Sequence, residues 1–195
     1  VTLLALLDVS AAFDSVDHDI LMQRLKKSFG FGGQVLSWLE SFIRDRTQSV
    51  TIGGSHSVWR RIRFGVPQGS VLGPFLFVLF ISPVVDVIGL IPDTQNRSEM
   101  VSFHQYADDT QLYIGANSST LRAQIASIES CTQRVHDWLL NNGLHLNPSK
   151  SEAIAFSNPR SKPLVALAES AGSPIKLQSS IKSLGVYLDS HYVFR

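Results

Sequence analysis

The chain predicts an α+β fold, a split βαβ antiparallel sheet with helices on one face, and three features carry that prediction. The first is Leu3-Leu4-Ala5-Leu6-Leu7, an unbroken apolar run that ends at Asp8 and has the length of a buried strand. The second is Tyr106-Ala107-Asp108-Asp109, set between the apolar runs 101–103 and 112–114, which reads as a hairpin with two carboxylates at its tip. The third is the order strand, helices, hairpin, helix, strand, which lets Asp8 and Asp108 fall on adjacent central strands although they are far apart in sequence.

Composition supports a packed protein. Of 195 residues, 44% are hydrophobic, enough for one good core or a domain plus an appendage, and no repeat or separate second core is evident. The net charge of +1 is uninformative, but basic clusters at Arg24, Lys26, Lys27 and at Arg60, Arg61, Arg63 permit a nucleic-acid partner. The single cysteine, Cys131, excludes an internal disulfide and a cysteine-based zinc site; it falls on the apolar stripe of a helix. Residues 71–91 are apolar enough to imitate a membrane span. Pro74, Pro83 and Asp86 within them, and Pro92 after, favour a buried helix broken near Ser82-Pro83, so no membrane partner is expected. There is no initiating Met or leader and residue 1 already lies in a strand, so a piece of a longer protein is expected.

In order, Val9-Ser10-Ala11-Ala12-Phe13-Asp14 forms a tight connection, and Asp17 caps a helix reaching about Ser28. Asp19 near its start and Lys26 and Lys27 near its end suit the macrodipole, and Gly30 can end it. A second helix spans 34–43, with Val35, Leu39, Phe42 and Ile43 on one face. Residues 48–52 and 58–64 read as two strands joined by Gly53-Gly54-Ser55, with Arg61 and Arg63 on one side, either solvated or facing nucleic acid. Gly65-Val66-Pro67-Gln68-Gly69-Ser70 is a turn whose glycines allow a close approach by a ligand; a plain helix-entry loop fits the same residues.

Residues 92–100 read as a polar loop. Residues 118–120 cap a long helix with Leu121, Ile125, Ile128, Val135, Trp138 and Leu139 in a stripe, ended by Asn141-Asn142-Gly143. Leu144 and Leu146 then lead to a turn at Asn147-Pro148-Ser149-Lys150 and a strand at 153–156. Residues 159–174 look irregular, and a final hairpin pairs 175–177 with 184–188.

Convergence of Asp8, Asp108 and Asp109 would have a chemical consequence. Carboxylates about 4 Å apart at an effective dielectric near 20 repel by roughly 4 kcal/mol, so such a cluster calls for divalent cations. Hard oxygen donors without histidine suit Mg²⁺, the usual ion of phosphoryl transfer. Taken alone, two adjacent acids in a hairpin also read as a solvated turn.

Assembled, these residues resemble the palm of reverse transcriptases, most closely those of non-LTR (LINE-type) retrotransposons. Residues 7–14, Leu7-Asp8-Val9-Ser10-Ala11-Ala12-Phe13-Asp14, are similar to the family's first catalytic block, and 65–74, from Gly65 through Gln68-Gly69 to Pro74, to its second. Tyr106-Ala107-Asp108-Asp109 is similar to the third, Gly143-Leu144 through Asn147 to Lys150 to the fourth, and Leu184-Gly185-Val186-Tyr187-Leu188 to the primer-gripping hairpin. Five blocks in this order are highly specific.

The resemblance implies a ferredoxin-like polymerase palm over 1–157, a primer-grip region at about 175–190, and no fingers start or thumb. It implies that Asp8, Asp108 and Asp109 hold two Mg²⁺ ions, with Mn²⁺ as a possible substitute, and that Lys150 donates a proton to the leaving pyrophosphate. The Val9 backbone would carry the triphosphate, Phe13 would block a ribose 2′-hydroxyl, and Gln68 and Gly69 would line the nascent base pair. Without the family, Phe13 reads equally as a core aromatic and Lys150 as a turn lysine. The implied partners are an RNA template, a DNA primer and deoxynucleoside triphosphates, with nucleus and cytoplasm as the expected setting. Two other readings stay open: a domesticated palm that binds nucleic acid or a protein without catalysis, and a related two-metal enzyme such as a cyclase.

Overall fold

The computed structural model describes residues 1–89, 100–117, 119–156, 169–170, 173–174 and 178–190. In chain order the elements are β1 (Thr2–Leu7), β2 (Val9–Ser10), a 3-10 turn (Ala12–Ser15), α1 (His18–Lys27), α2 (Gly33–Ile43), β3 (Thr47–Gln48), β4 (Thr51–Ile52), β5 (Ser55–His56) and β6 (Arg60–Arg61). Then follow α3 (Leu72–Ile81), α4 (Val84–Gly89), β7 (Ser102–Tyr106), β8 (Asp109–Gly115), α5 (Leu121–Asn141), β9 (His145–Leu146), β10 (Glu152–Phe156), β11 (Glu169–Ser170), β12 (Ser173–Pro174), β13 (Ser180–Ser183) and β14 (Val186–Asp189).

The chain divides into two compact units, one comprising 1–10, 83–141 and 145–195, the other 11–82 and 142–144. The sequence allowed one core or a domain plus an appendage and showed no separate second core. The second unit has apolar side chains of its own to bury: Leu21 and Leu25 of α1, Leu39 and Ile43 of α2, and Leu76, Phe77, Phe80 and Ile81 of α3. Helix α1 packs against both α2 and α3.

The first unit holds the expected sheet, four antiparallel strands in the order β10-β1-β8-β7. With β8 between β1 and β7, and β10 on the far side of β1, this is a split βαβ arrangement. Period-two alternation sorts the faces. Leu3, Ala5 and Leu7 stand opposite Ile114, Leu112 and Thr110, all buried, while Gln111 is half-buried and Tyr113 exposed on the other face of β8. Helix α5 packs on β8 and against α4, burying Ile128, Cys131, Val135 and Leu139. On the opposite face Leu4, Ile154 and Phe156 form a cluster with Ile181, and Leu6 and Leu188 pack around it.

Local signals explain the termini. The Asp17 carboxylate accepts from the amides of Asp19 and Ile20, as an N-cap should. At the head of α5 the cap is Asn117, whose Oδ1 accepts from the amides of Ser119 and Thr120; of the expected 118–120 cap, Ser118 lies outside the described residues. Gly143 takes φ 74° just past the end of α5, where a left-handed residue suits glycine.

The apolar stretch Leu72–Gly89 has a mean hydropathy of 2.1 and is by length and composition capable of crossing a membrane. It is two helices, α3 and α4, separated at Ser82-Pro83 as the sequence indicated. The expected strands at 48–52 and 58–64 are corrected: β3 pairs with β6 and β4 with β5, each ladder two residues long. Val50, Ile52, Val58 and Trp59 all stay exposed there, so no buried face holds a longer strand in register. The last hairpin is also corrected, to β13 paired with β14 around Leu184-Gly185. Residues 175–177 lie outside the described set, as do 92–99 of the expected polar loop.

Candidate active site

In the first unit, the end of β1, the β7–β8 turn and the turn before β10 come together. The ladder between β1 and β8 closes at Leu7↔Thr110, so Asp8 emerges one position past it, level with Asp109. Asp109 pairs with Tyr106 as the first residue of β8, and Ala107 and Asp108 form the turn, Ala107 at φ 54°. One carboxylate therefore sits in the turn and one on the strand, where the sequence suggested both at the tip.

Beyond Leu7 the backbone of Asp8 is held by the turn ahead of β10. The Asn147 amide donates to the Asp8 carbonyl at 2.8 Å, and the Asp8 amide donates to Ser151 Oγ at 3.3 Å. Ser151 Oγ in turn donates to the Asn147 carbonyl at 2.9 Å, and Asn147 Oδ1 accepts from Ser149 Oγ at 2.7 Å. That folded turn carries Lys150. Val9 is buried and pairs with Leu146 directly after Asp8.

Asp8, Asp109, Lys150, Lys182 and Gln111 line a pocket of about 110 Å³, with Leu184 at its edge. Burial pushes the Asp8 carboxyl above its ordinary value; the nearby Lys150 ammonium opposes this and the charge of Asp108 adds to it. Burial likewise raises the Asp109 carboxyl, reinforced by the charges of Asp108 and then Asp8. The acids thus feel one another. Among the described residues no three His, Cys, Asp or Glu side chains close into a ready-made metal cluster. The donor chemistry nevertheless fits a hard divalent cation, whose charge would offset the burial that chiefly raises both acids and the repulsion that adds to it.

Asn147, Ser151 and Lys182 were not singled out from the sequence as site residues. Asn-Pro-Ser announces a turn, but nothing in it shows that the turn clasps Asp8. Lys182 stands on β13 two residues before Leu184, and its ammonium lies 5.4 Å from the centre of the Tyr187 ring.

Phe13, Gln68 and Gly69 belong to the second unit, where the 65–70 loop runs along residues 13–18. The Val66 amide donates to the Phe13 carbonyl at 2.8 Å, the Gly65 amide to the Val16 carbonyl at 2.7 Å, and Gln68 Nε2 to Asp14 Oδ1 at 3.2 Å. Gly65 has φ 91°, and a Cβ there would lie 2.9 Å from the Asp14 carbonyl oxygen, so glycine is required for the approach. Buried His18 completes the contact by donating from Nε2 to the Gly65 carbonyl at 2.8 Å. The half-buried Phe13 ring stacks on Phe77, centroids 4.5 Å apart and planes at 23°. Gln68 and Gly69 are exposed.

The first unit is an antiparallel split βαβ sheet bearing acids at the ends of its two central strands, a palm-type fold, and sequence similarity gives the family. The profile of the reverse transcriptase (RNA-dependent DNA polymerase) family matches residues 1–188, and the chain belongs to that family. It is 33% identical over 191 residues to the RNA-directed DNA polymerase from mobile element jockey of Drosophila melanogaster, covering 97% of this chain and 20% of that protein. It is 30% identical to the probable RNA-directed DNA polymerase from transposon BS of the same species, covering 96% of this chain and again 20% of the relative. To a Pol polyprotein from type-1 retrotransposable element R2 of Popillia japonica it is 26% identical, over 94% of this chain and 30% of that protein. These relatives come from non-LTR retrotransposons, and the chain spans about a fifth to a third of their length.

Solved structures agree on the fold. The chain superposes on apo telomerase from Candida tropicalis with a TM-score of 0.63 at 15% identity, covering 100% of this chain and 32% of that one. Telomerase from Candida albicans, in complex with a TWJ fragment of telomeric RNA, gives 0.62 at 16% identity, covering 96% and 30%.

Proposed function

We propose that this chain supplies the catalytic palm of an RNA-directed DNA polymerase of a non-LTR retrotransposon, adding deoxynucleotides to a DNA primer 3′-hydroxyl on an RNA template. The observation that carries this reading is the convergence of Asp8, Asp109 and Lys150 on one pocket, with Asp108 in the adjoining turn, in a chain of the reverse transcriptase family.

Asp8, Asp108 and Asp109 would hold two Mg²⁺ ions, or Mn²⁺ in their place. When bound, such ions activate the attacking hydroxyl and stabilise charge on the leaving pyrophosphate. Lys150, an exposed cation on the turn that clasps Asp8, holds its proton for the departing oxygen. The Val9 backbone, fixed by its pairing with Leu146, carries the triphosphate. Phe13 discriminates against the ribose 2′-hydroxyl and Gln68 and Gly69 line the base pair, assignments that rest on their motif matches.

The test is primer extension on an RNA template with Mg²⁺ and deoxynucleotides, beside an Asp108→Ala, Asp109→Ala variant. Extension by the wild type that the variant loses supports the reading. No extension by a folded wild type that binds nucleic acid without metal would replace it with the non-catalytic palm.

A further inference from the structure

Helix α1 buries His18, Leu21, Met22 and Leu25, which share one face at the spacing of an apolar stripe. An imidazole is out of place in that stripe. His18 is 5% exposed, and burying its ring costs solvation that a leucine would not lose unless the polar atoms find partners. The partner is the Gly65 carbonyl, 2.8 Å from Nε2. A carbonyl only accepts, so Nε2 carries the hydrogen.

That carbonyl belongs to the peptide group between Gly65 and Val66, and the other end of the same group is also held. The Val66 amide donates to the Phe13 carbonyl at 2.8 Å. The plane of this one peptide is thus fixed from α1 on one side and from residue 13 on the other. It needs fixing, because Gly65, at φ 91°, has no side chain to restrict its rotation. Downstream the chain is stiff. Val66 is buried and precedes a proline, and the ring of Pro67 sets its own φ, so the tilt of the 65–66 peptide passes on to Gln68. Gln68 is exposed and is steadied by the 3.2 Å bond from Nε2 to Asp14 Oδ1.

We propose that His18 is a positioning residue for nucleotide selection: by holding the Gly65 carbonyl it sets the orientation in which the 65–70 loop presents Gln68. This role rests on the polymerase reading, in which Gln68 lines the nascent base pair. His18 acts through the loop and uses none of the acids of the active site. Its loss therefore weakens binding of the incoming nucleotide and leaves the chemical step as it was.

The test is single-nucleotide incorporation by the whole chain on an RNA-templated DNA primer, with His18→Leu and His18→Gln beside wild type. Leucine continues the apolar stripe without a donor, whereas glutamine can bring an amide N–H close to the position of Nε2. His18→Leu raises KM for the matched deoxynucleotide about tenfold with kcat within about twofold, and His18→Gln recovers most of the loss. A role confined to stability would lower the melting temperature of His18→Leu and leave KM unmoved. Should His18→Leu fail to fold, His18→Asn, whose amide is too short to reach the Gly65 carbonyl, carries the same expected split. In isotope-labelled wild type, NMR shows the His18 proton on Nε2 and in slow exchange with water.

A wild-type KM in a folded His18→Leu or His18→Asn overturns the proposal, and so does a His18 ring protonated on Nδ1 alone. A folded wild type that extends no primer removes the polymerase reading and the positioning role with it. An unmoved KM in variants of an active wild type removes the positioning role alone.

Discussion

The Asn147 amide and the Asp8 carbonyl are joined by a 2.8 Å hydrogen bond that fastens the end of β1 to the turn carrying Lys150. Ser151 closes the clasp, accepting from the Asp8 amide and donating to the Asn147 carbonyl through one buried hydroxyl. The acid and the ammonium therefore share a support, and loosening it should move both. Ser151→Ala leaves a part-buried amide without this partner, at a cost of about 1–3 kcal/mol. Urea unfolding should show that loss, and primer extension should fall at least tenfold. Extension at the wild-type rate would show that Asp8 is positioned without the clasp.

The acids make a prediction of unusual sign. The carboxyls of Asp8 and Asp109 are raised from 3.8, chiefly by burial. A raised acid binds its proton more tightly folded than unfolded, so its contribution is fully present below 3.8 and is lost as pH rises through the folded value. At pH 7 these groups oppose folding. Asp8→Asn and Asp109→Asn should therefore melt above wild type at pH 7, with the gap closing towards pH 3. Asp8 is only half-buried and Asp109 is exposed, so solvent screens both and the rise should stay below the roughly 2–4 °C that 1 kcal/mol produces in a domain of this size. Mg²⁺ should raise the melting temperature of wild type and leave that of an Asp8→Asn, Asp108→Asn, Asp109→Asn variant unchanged. A lower melting temperature for the single variants at pH 7 would show that these carboxylates stabilise the fold.

What the sequence made legible was whatever is written in local apolar patterning. The buried β1, the β7–β8 hairpin, the Asp17 cap and the break before α4 each follow from a few neighbouring residues. The placement of Asp8 against the hairpin followed too, because strand order fixes it once the elements are known. The pair of strands turned at Gly53-Gly54 was legible too, but its breaking into ladders of two residues was not, because Val50, Ile52, Val58 and Trp59 stay exposed and no buried face fixes the strand ends. The Ser151 clasp was hidden for another reason: a serine bonded to a backbone 143 positions away leaves no local trace. The division into two units escaped as well, because apolar stripes show that a helix is buried without showing what it is buried against.

Phe13 is a packing residue in the structure and a sugar-discriminating residue in the proposed function, and the two roles can be separated. Its ring stacks on fully buried Phe77, so Phe13→Ala opens a gap beside the second unit's core. For a half-buried ring the expected cost is about 2 kcal/mol, below that of a fully buried phenylalanine. If Phe13 also excludes the 2′-hydroxyl, Phe13→Ala should raise ribonucleotide use relative to deoxynucleotide at least tenfold, while Phe13→Tyr keeps wild-type discrimination. Single-nucleotide incorporation with each sugar measures the ratio independently of stability. An unchanged ratio would leave Phe13 a packing residue.

Two helical glycines should respond to alanine with opposite signs. A Cβ on Gly73, in the first turn of α3, would lie 2.4 Å from the Pro67 carbonyl oxygen and 3.1 Å from Ser70 Oγ. The first contact is with backbone, and that backbone forms the turn presenting Gln68, which cannot move aside without losing the Ser70 hydroxyl's 2.7 Å bond to the same carbonyl. The clash should outweigh the gain in helix propensity of about 1 kcal/mol, leaving Gly73→Ala destabilised by about 1–3 kcal/mol. A Cβ on Gly89, at the end of α4, meets no described residue within 4 Å, so Gly89→Ala should be neutral or stabilising by up to about 1 kcal/mol. Denaturant midpoints of the two variants decide it. A stable Gly73→Ala protein would show that the Pro67–Ser70 turn yields, and the rigid presentation of Gln68 would then have to be abandoned.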